Sequence, residues 1–147
     1  MLTPFSGGLS GIGLAIVHHA CVSVVFSTSS KSNISILGSS PPSDSVGLFS
    51  SLKNQYPEVD FLYKQCDVSS WEQQQKSFKE IWLAVGRIDL VFANAGISGA
   101  GKDKVQLLVI EKEGEEPQKP DMSVLDVNLM GTIYSQCCHS LRPFPNN

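Results

Sequence analysis

Ser6-Gly7-Gly8-Leu9-Ser10-Gly11-Ile12-Gly13, close to the start of the chain, is the stretch whose reading decides the fold. Gly7, Gly8, Gly11 and Gly13 carry no Cβ, so the backbone can turn sharply and bring its amides against an anion. Directly behind them, Ile12-Gly13-Leu14-Ala15-Ile16-Val17 opens an apolar helical pattern. A helix N-terminus adds unpaired N–H groups and the positive end of the helix dipole, and both suit a phosphate. No Gly-Lys-Ser/Thr follows, which sets aside the P-loop. An ordinary Gly/Ser loop is the competing reading, so the rest of the chain has to decide.

Working outward, 147 residues at 41% hydrophobic content suffice for one domain, 1–147, with a real core. A net charge of −3 and a pI near 5.5 argue against a nucleic-acid surface. No apolar run approaches the ~20 residues of a membrane span. No basic segment followed by an apolar core marks a secretory leader, so a cytoplasmic setting is expected. Cys21, Cys66, Cys137 and Cys138 have no Cys-x-x-Cys spacing and read as reduced, mostly buried thiols. No metal site is expected. His18 and His19 read as exposed helix residues, because neighbours on a helix point about 100° apart.

Strands alternate with helices along the chain. Val22 to Ser27 is a β-branched run that predicts a strand, Val59 to Tyr63 a second, and Ile88 to Ala93 a third. Helices are predicted over Asp44 to Asn54, over Ser70 to Val85 with Ser70 and Gln73 in capping-box register, and over Asp121 to Leu141. In the last, Val124, Leu125, Leu129 and Ile133 recur at helical spacing. Ser39 to Ser45 and Lys102 to Pro120 read as loops. The alternation predicts a parallel sheet covered on both faces.

Together, Ser6-Gly7-Gly8-x-x-Gly11-Ile12-Gly13, Asp67-Val68, Asn94-Ala95-Gly96 and Val127-Asn128-x-x-Gly131 resemble the short-chain dehydrogenase/reductase family, in order and over nearly the whole chain. The resemblance implies an α/β fold, a Rossmann-type doubly wound parallel sheet, and an oxidoreductase that moves hydride between a nicotinamide dinucleotide and an alcohol or carbonyl. It implies that Ser6, Gly7, Ser10, Gly11, Ile12 and Gly13 cradle the cofactor pyrophosphate and that Asp67, with Val68, contacts the adenine. Asn94, Ala95 and Gly96 would support the sheet near the adenine ribose, and Asn128 would position a water in the proton relay. Two residue-level alternatives stay open: Asp67 as a turn-capping carboxylate, and Asn128 as a satisfied polar residue in an apolar helix. The resemblance also implies a homo-oligomer contact through the 121–141 helix, alongside a small-molecule substrate.

A carboxylate at the end of the second strand would chelate the ribose of NAD and repel a 2′-phosphate. The run Ser27-Thr28-Ser29-Ser30-Lys31 offers hydroxyls and one cation, so Ser29 and Lys31 predict NADP, with NAD the alternative. Three features depart from the family. No tyrosine is followed four residues later by lysine: the partners of Tyr56, Tyr63 and Tyr134 are Asp60, Asp67 and Cys138. The family's catalytic Ser and Tyr would fall after Asn147, so the fold is expected to be incomplete at its C-terminus. Pro4 predicts a shortened first strand, and the passage from His18-His19-Ala20-Cys21 straight into Val22 predicts a shortened first helix. A catalytically dead dinucleotide-binding or regulatory module, or a non-functional gene fragment, is the alternative these departures raise.

Overall fold

The computed structural model of the chain describes residues 2–25, 32–98, 116 and 119–140. Four parallel strands, β1 (Leu2–Ser6), β2 (Ser32–Gly38), β3 (Val59–Gln65) and β4 (Phe92–Ala93), lie in the order β3-β2-β1-β4. Three helices connect them: α1 (Gly11–Val25), α2 (Pro42–Gln55) and α3 (Trp71–Val85). A last helical stretch comprises α4 (Ser123–Leu125), a π-helical turn (Asp126–Met130) and α5 (Gly131–Ser140). The chain steps outward from β1 to β3 and then returns to lay β4 on the other side of β1. That reversal opens a crevice at the carboxyl ends of β1 and β4, the place where such sheets bind ligands.

Burial on both faces holds the sheet. Phe5, Val17, Cys21, Ile34, Ile36, Leu52, Tyr56, Val59 and Phe61 form one core with α1 and α2. Leu37, Cys66, Phe78, Ile81, Ile88 and Cys138 form the other with α3 and α5. Ile36 and Leu37, adjacent in β2, enter opposite cores because side chains alternate along a strand. Cys137 is exposed and the other three cysteines are buried. Burial pushes the thiols of Cys21 and Cys138 up to about 11, so both stay protonated at neutral pH.

The strand expected over Val22 to Ser27 is not formed; Val22 to Val25 are the last turn of α1. Val17 and Cys21, four residues apart, are fully buried against Phe5 and Ile34, and this packing overrides the β-propensity of the valines. Ser23 donates to the His19 carbonyl at 3.0 Å, one helical turn back. The first helix is therefore not shortened but has 15 residues. The second strand is Ser32–Gly38, where Ser32, Asn33 and Ser35 break up the apolar run that would have marked it.

Pro4 leaves β1 intact over five residues, an ordinary strand length. Backbone groups alternate sides along a strand, and the Gly7 N–H reaches the Leu37 carbonyl of β2 at 2.9 Å. Counting back, the donor Pro4 lacks would face β4, whose pairing begins one residue later at Phe5↔Phe92. The third expected strand is likewise shorter than Ile88 to Ala93, since only Phe92 and Ala93 pair with β1. Phe5 and Phe92 stack there at 4.7 Å with their rings 3° from parallel.

The helix ends follow local chemistry. α2 starts at Pro42, two residues before the expected Asp44, because proline suits a first helical position; the loop expected to Ser45 ends at Pro41. Ser70 caps α3 by accepting from the Gln73 N–H, and Gly86, at φ 78°, closes it in the left-handed region. The apolar stripe of this last helical stretch faces solvent at three of its four positions: Leu125, Leu129 and Ile133 are 40%, 53% and 43% exposed, while Val124 is half-buried. Gly131, Ser135 and Cys138 form the buried side of α5. His18 is half-buried, its Nδ1 3.0 Å from the Tyr56 hydroxyl, while His19 is exposed. The segment expected as a loop over Lys102 to Pro120 lies almost wholly outside the described residues.

Thr3 and Ser35 bury their hydroxyls without a partner among the described residues. An unmet buried hydroxyl costs about 1–3 kcal/mol. Thr3→Val, nearly isosteric, is therefore expected to raise stability by about 1 kcal/mol. Urea unfolding would show this as a higher midpoint at unchanged slope; a lower midpoint would mean that the Thr3 hydroxyl is satisfied.

Candidate functional site

The site is built where β1 runs into α1. Gly7 leaves the strand at φ 66°, and Gly13 sits so close beneath the turn that a Cβ there would lie 2.1 Å from the Gly7 carbonyl oxygen. Only a bare backbone fits. The first N–H groups of α1, from Gly11 to Gly13, have no intrahelical acceptor and open the positive end of the helix beside the turn. No acidic residue stands in that first turn to compete with an anion.

Ser6 ties this turn to the next segment. Its buried hydroxyl accepts from the N–H groups of Asn94 and Ala95 at 2.9 and 3.0 Å and points back at the Phe92 carbonyl at 3.4 Å. Asn94 Nδ2 lies 3.4 and 3.5 Å from the carbonyls of Ser6 and Gly7, long contacts that hold the two turns face to face. A Cβ on Gly7 would come within 3.0 Å of Ala95 Cα. The glycine turn and Asn94-Ala95-Gly96 are thus one packed unit.

A cavity of about 300 Å³ opens beside them. Gly7, Ser10, Asp67, Val68, Ala95 and Gly96, all named from the sequence, line it. Ser6, Gly13 and Asn94 form the packed turn beside it, Gly11 is exposed with nothing within 4 Å of a Cβ built on it, and the Ile12 side chain is 75% exposed. Asp67 Oδ1 accepts from the N–H and hydroxyl of Ser69 at 2.9 and 2.7 Å, so this carboxylate does close a turn. The described bonds use only that oxygen. The Asp67 N–H donates to Gln73 Oε1 at 2.9 Å, which fixes the residue against α3.

Asn128 lies in the π-helical turn, a distortion frequent at functional sites. Both ends of its amide are engaged by one residue: Oδ1 accepts from the Ile97 N–H at 2.8 Å, and Nδ2 donates to the Ile97 carbonyl at 2.9 Å. It thereby pins the segment after Asn94-Ala95-Gly96 to the helix. The Asn128 carbonyl also accepts from the Thr132 hydroxyl at 2.9 Å.

Ser29 and Lys31 lie outside the described residues. The strand whose end would carry them is not the expected one: β2 is Ser32–Gly38, and its carboxyl end at Gly38 lines the cavity. The residues that do follow β2 are Ser39 and Ser40, and together with Gly38, Tyr63, Cys66 and Ile97 they line the cavity although no motif of the sequence marks them; Val127, from the Val127-Asn128 motif, lines it too. The signal that could have found them was the short Ile34-Ser35-Ile36-Leu37 run ending at a glycine. Among the described residues no group of His, Cys, Asp and Glu is placed to hold a metal ion, and no helix is long and apolar enough to cross a membrane.

A family model described as short chain dehydrogenase matches residues 5–141. The NADP-dependent dehydrogenase clz5 of Cochliobolus lunatus is 41% identical over 75 residues, which are 50% of this chain and 26% of that protein. Among solved structures, an alcohol dehydrogenase of the archaeon Thermococcus sibiricus, complexed with 5-hydroxy-NADP, superposes with a TM-score of 0.68 at 19% identity. It covers 95% of this chain and 51% of its own. An NAD+-bound xylitol dehydrogenase superposes with a TM-score of 0.66 at 20% identity, over 95% of this chain and 46% of its own. The chain spans about half the length of these solved relatives and a smaller share of the dehydrogenase from Cochliobolus.

Proposed function

Since this chain belongs to the short-chain dehydrogenase family, we propose that it binds a nicotinamide dinucleotide in the cavity beside Gly7 and serves an oxidoreductase reaction. The observation that carries this reading is the contact of Gly13 with the Gly7 carbonyl. It clears a cradle that any Cβ would fill, at the open end of a helix. The pyrophosphate would rest on the turn from Gly7 to Gly13, with Ser10 beside it. The adenosine would lie between the Gly38–Ser40 turn and Asp67-Val68, with Ala95 and Gly96 as its floor. Bound there, the cofactor gives or accepts a hydride, and the substrate class is an alcohol or carbonyl.

The NADP preference has a new footing. Gly38, Ser39 and Ser40, at the carboxyl end of β2, bring no carboxylate to chelate a free ribose. Asn128 fixes the π-helical turn through Ile97 and is the residue that would position a relay water. None of the three tyrosines has a lysine four residues on, so within these 147 residues the usual proton donor is missing. Loss of a positioned acid typically costs ~10²–10⁴ in rate. The chain alone is therefore read as a dinucleotide-binding unit with little or no turnover, and the exposed stripe of Leu125, Leu129 and Ile133 as its contact with a second copy.

Titration of the protein with NADPH and NADH, followed by Trp71 and Trp82 fluorescence and by thermal denaturation, tests this. NADPH is expected to bind more tightly and, at about 100 times its Kd, to add about 2.7 kcal/mol of stability. NADPH oxidation with a ketone and quinone panel should stay at background. Failure of both nucleotides to bind would overturn the reading, and robust turnover would overturn its catalytic part.

A further inference from the structure

Gly38 ends β2 with no side chain, and the space a side chain would need is already filled. A Cβ built on Gly38 would lie 2.9 Å from the hydroxyl oxygen of Tyr63 and 3.4 Å from its Cε2. Tyr63 is not free to retreat. Its ring meets Phe49 edge-on at 5.9 Å, and its hydroxyl donates to the Ser40 carbonyl at 2.6 Å, with the Gly38 carbonyl at 3.1 Å.

The turn after β2 is held from the same side throughout. The Gly38 carbonyl also accepts from the Cys66 N–H at 2.8 Å, and the Ser39 carbonyl accepts from Gln65 Nε2 at 3.1 Å. All three carbonyls of Gly38, Ser39 and Ser40 are thus turned toward β3 and occupied. The amides and the exposed hydroxyls of Ser39 and Ser40 remain as the groups with which this turn can meet a ligand at the cavity wall. Consecutive N–H groups and hydroxyls around a turn form a concavity suited to an anion.

We propose that Tyr63 is the residue that selects the phosphorylated cofactor: its phenol occupies the slot a ribose-chelating carboxylate would need and clamps the Gly38–Ser40 turn so that its donors face a 2′-phosphate. The inference rests on the dinucleotide reading above and adds the residue that sets the choice. Burial, reinforced by the charges of Asp44 and Cys66, pushes the Tyr63 hydroxyl above its usual range, so it keeps the proton it donates. Asp44, in the first turn of α2, is the opposing influence; its Oδ1 is held by the Ser43 hydroxyl at 3.0 Å.

Adenosine 2′,5′-bisphosphate and adenosine 5′-monophosphate differ only by the phosphate in question and serve as the probes, titrated calorimetrically into the full chain. The wild type is expected to favour the bisphosphate by about tenfold or more, as a charge-assisted set of hydrogen bonds would give. Tyr63→Phe should cut that preference severalfold, by weakening bisphosphate binding more than monophosphate binding. Gly38→Ala, whose added methyl presses on the phenol and strains the clamp without deleting it, should act in the same direction, and thermal denaturation of both variants guards against a folding defect. The double variant Gly38→Asp with Tyr63→Ser should reverse the preference. A preference equal to wild type in both single variants, with both probes still bound, would overturn the role of Tyr63 and leave the cofactor reading standing. Wild-type protein that binds neither probe would overturn both. Preference of the wild type for the monophosphate, abolished by Asp44→Asn, would assign the ribose to Asp44 instead.

Discussion

Gly13→Ala is expected to abolish dinucleotide binding and to cost more than about 4 kcal/mol of stability, the range reserved for changes that backbone cannot absorb. The added methyl would stand 2.1 Å from the Gly7 carbonyl oxygen, 2.9 Å from the carbon that bears it, and 2.6 Å from Asn94 Nδ2. Two of these atoms are backbone in a turn whose other side is already packed on Ala95, so relief would have to move β1 or α1. Gly11 is the internal control. It has φ 50°, and a methyl added there would meet nothing within 4 Å, so Gly11→Ala should cost only about 1–2 kcal/mol from the left-handed backbone. Thermal denaturation and NADPH titration of the two variants side by side would decide. Equal, small losses would show that the turn relaxes, and the cradle argument would fail with it.

The same pair shows what the sequence made legible. Positions where only a particular residue type satisfies the backbone announce themselves. Gly7 and Gly13 at the turn, Ser70 with Gln73 at the start of α3, and Gly86 at its end all lie where local chemistry places them. Asn94-Ala95-Gly96 and Asn128 were readable as a pair of motifs, but not the bridge that joins them, since Ile97 contributes only its backbone. β2 was illegible for the opposite reason. Its burial is imposed by neighbours on both faces, so Ser32, Asn33 and Ser35 survive inside it while Val22 and its neighbours, the better strand formers, finish a helix. That one displacement drew the expected cofactor contacts to Ser29 and Lys31, whereas the residues that follow β2 and line the cavity are Ser39 and Ser40. The role of Tyr63 depends on register across two strands, Ile36↔Tyr63, and no local pattern carries that information.

Gln74→Leu is expected to cost about 2–5 kcal/mol, a large effect for a residue that does not itself line the cavity. Gln74 is completely buried. Its Nε2 donates to the Val68 carbonyl at 2.7 Å and to the Gly131 carbonyl at 2.8 Å, while its Oε1 accepts from the Ser135 hydroxyl at 2.9 Å. Leucine has similar bulk and would fill the space, but both carbonyls would lose this donor in the dry interior, where each unmet group costs about 1–3 kcal/mol. The Ser135 hydroxyl would retain the Gly131 carbonyl at 2.9 Å, which limits the loss. The consequence reaches the site by position. Gly131 follows the π-helical turn directly, and a Cβ there would already crowd Val68 at 3.0 Å, so α5 is set against the Val68 segment by this one amide and this one close approach. Without the amide, the turn holding Asn128 loses its nearest hydrogen-bonded anchor on α3, and Asp67-Val68 loses its hydrogen-bonded link to α5. The Trp71–Tyr134 ring contact and the core around Cys138 still join α5 to α3. Gln74→Glu separates the two effects: it restores bulk and the acceptor while removing the donor, so near neutral pH it should be at least as damaging as leucine. Protonation of the introduced carboxylate returns a donor, so this variant should recover relative to leucine as pH falls. Urea unfolding of the three proteins across that range, with hydrogen exchange at the Ile97 amide as the local readout, is the measurement. An Ile97 amide as protected in Gln74→Leu as in the wild type would show that the π-helical turn is set by Asn128 alone.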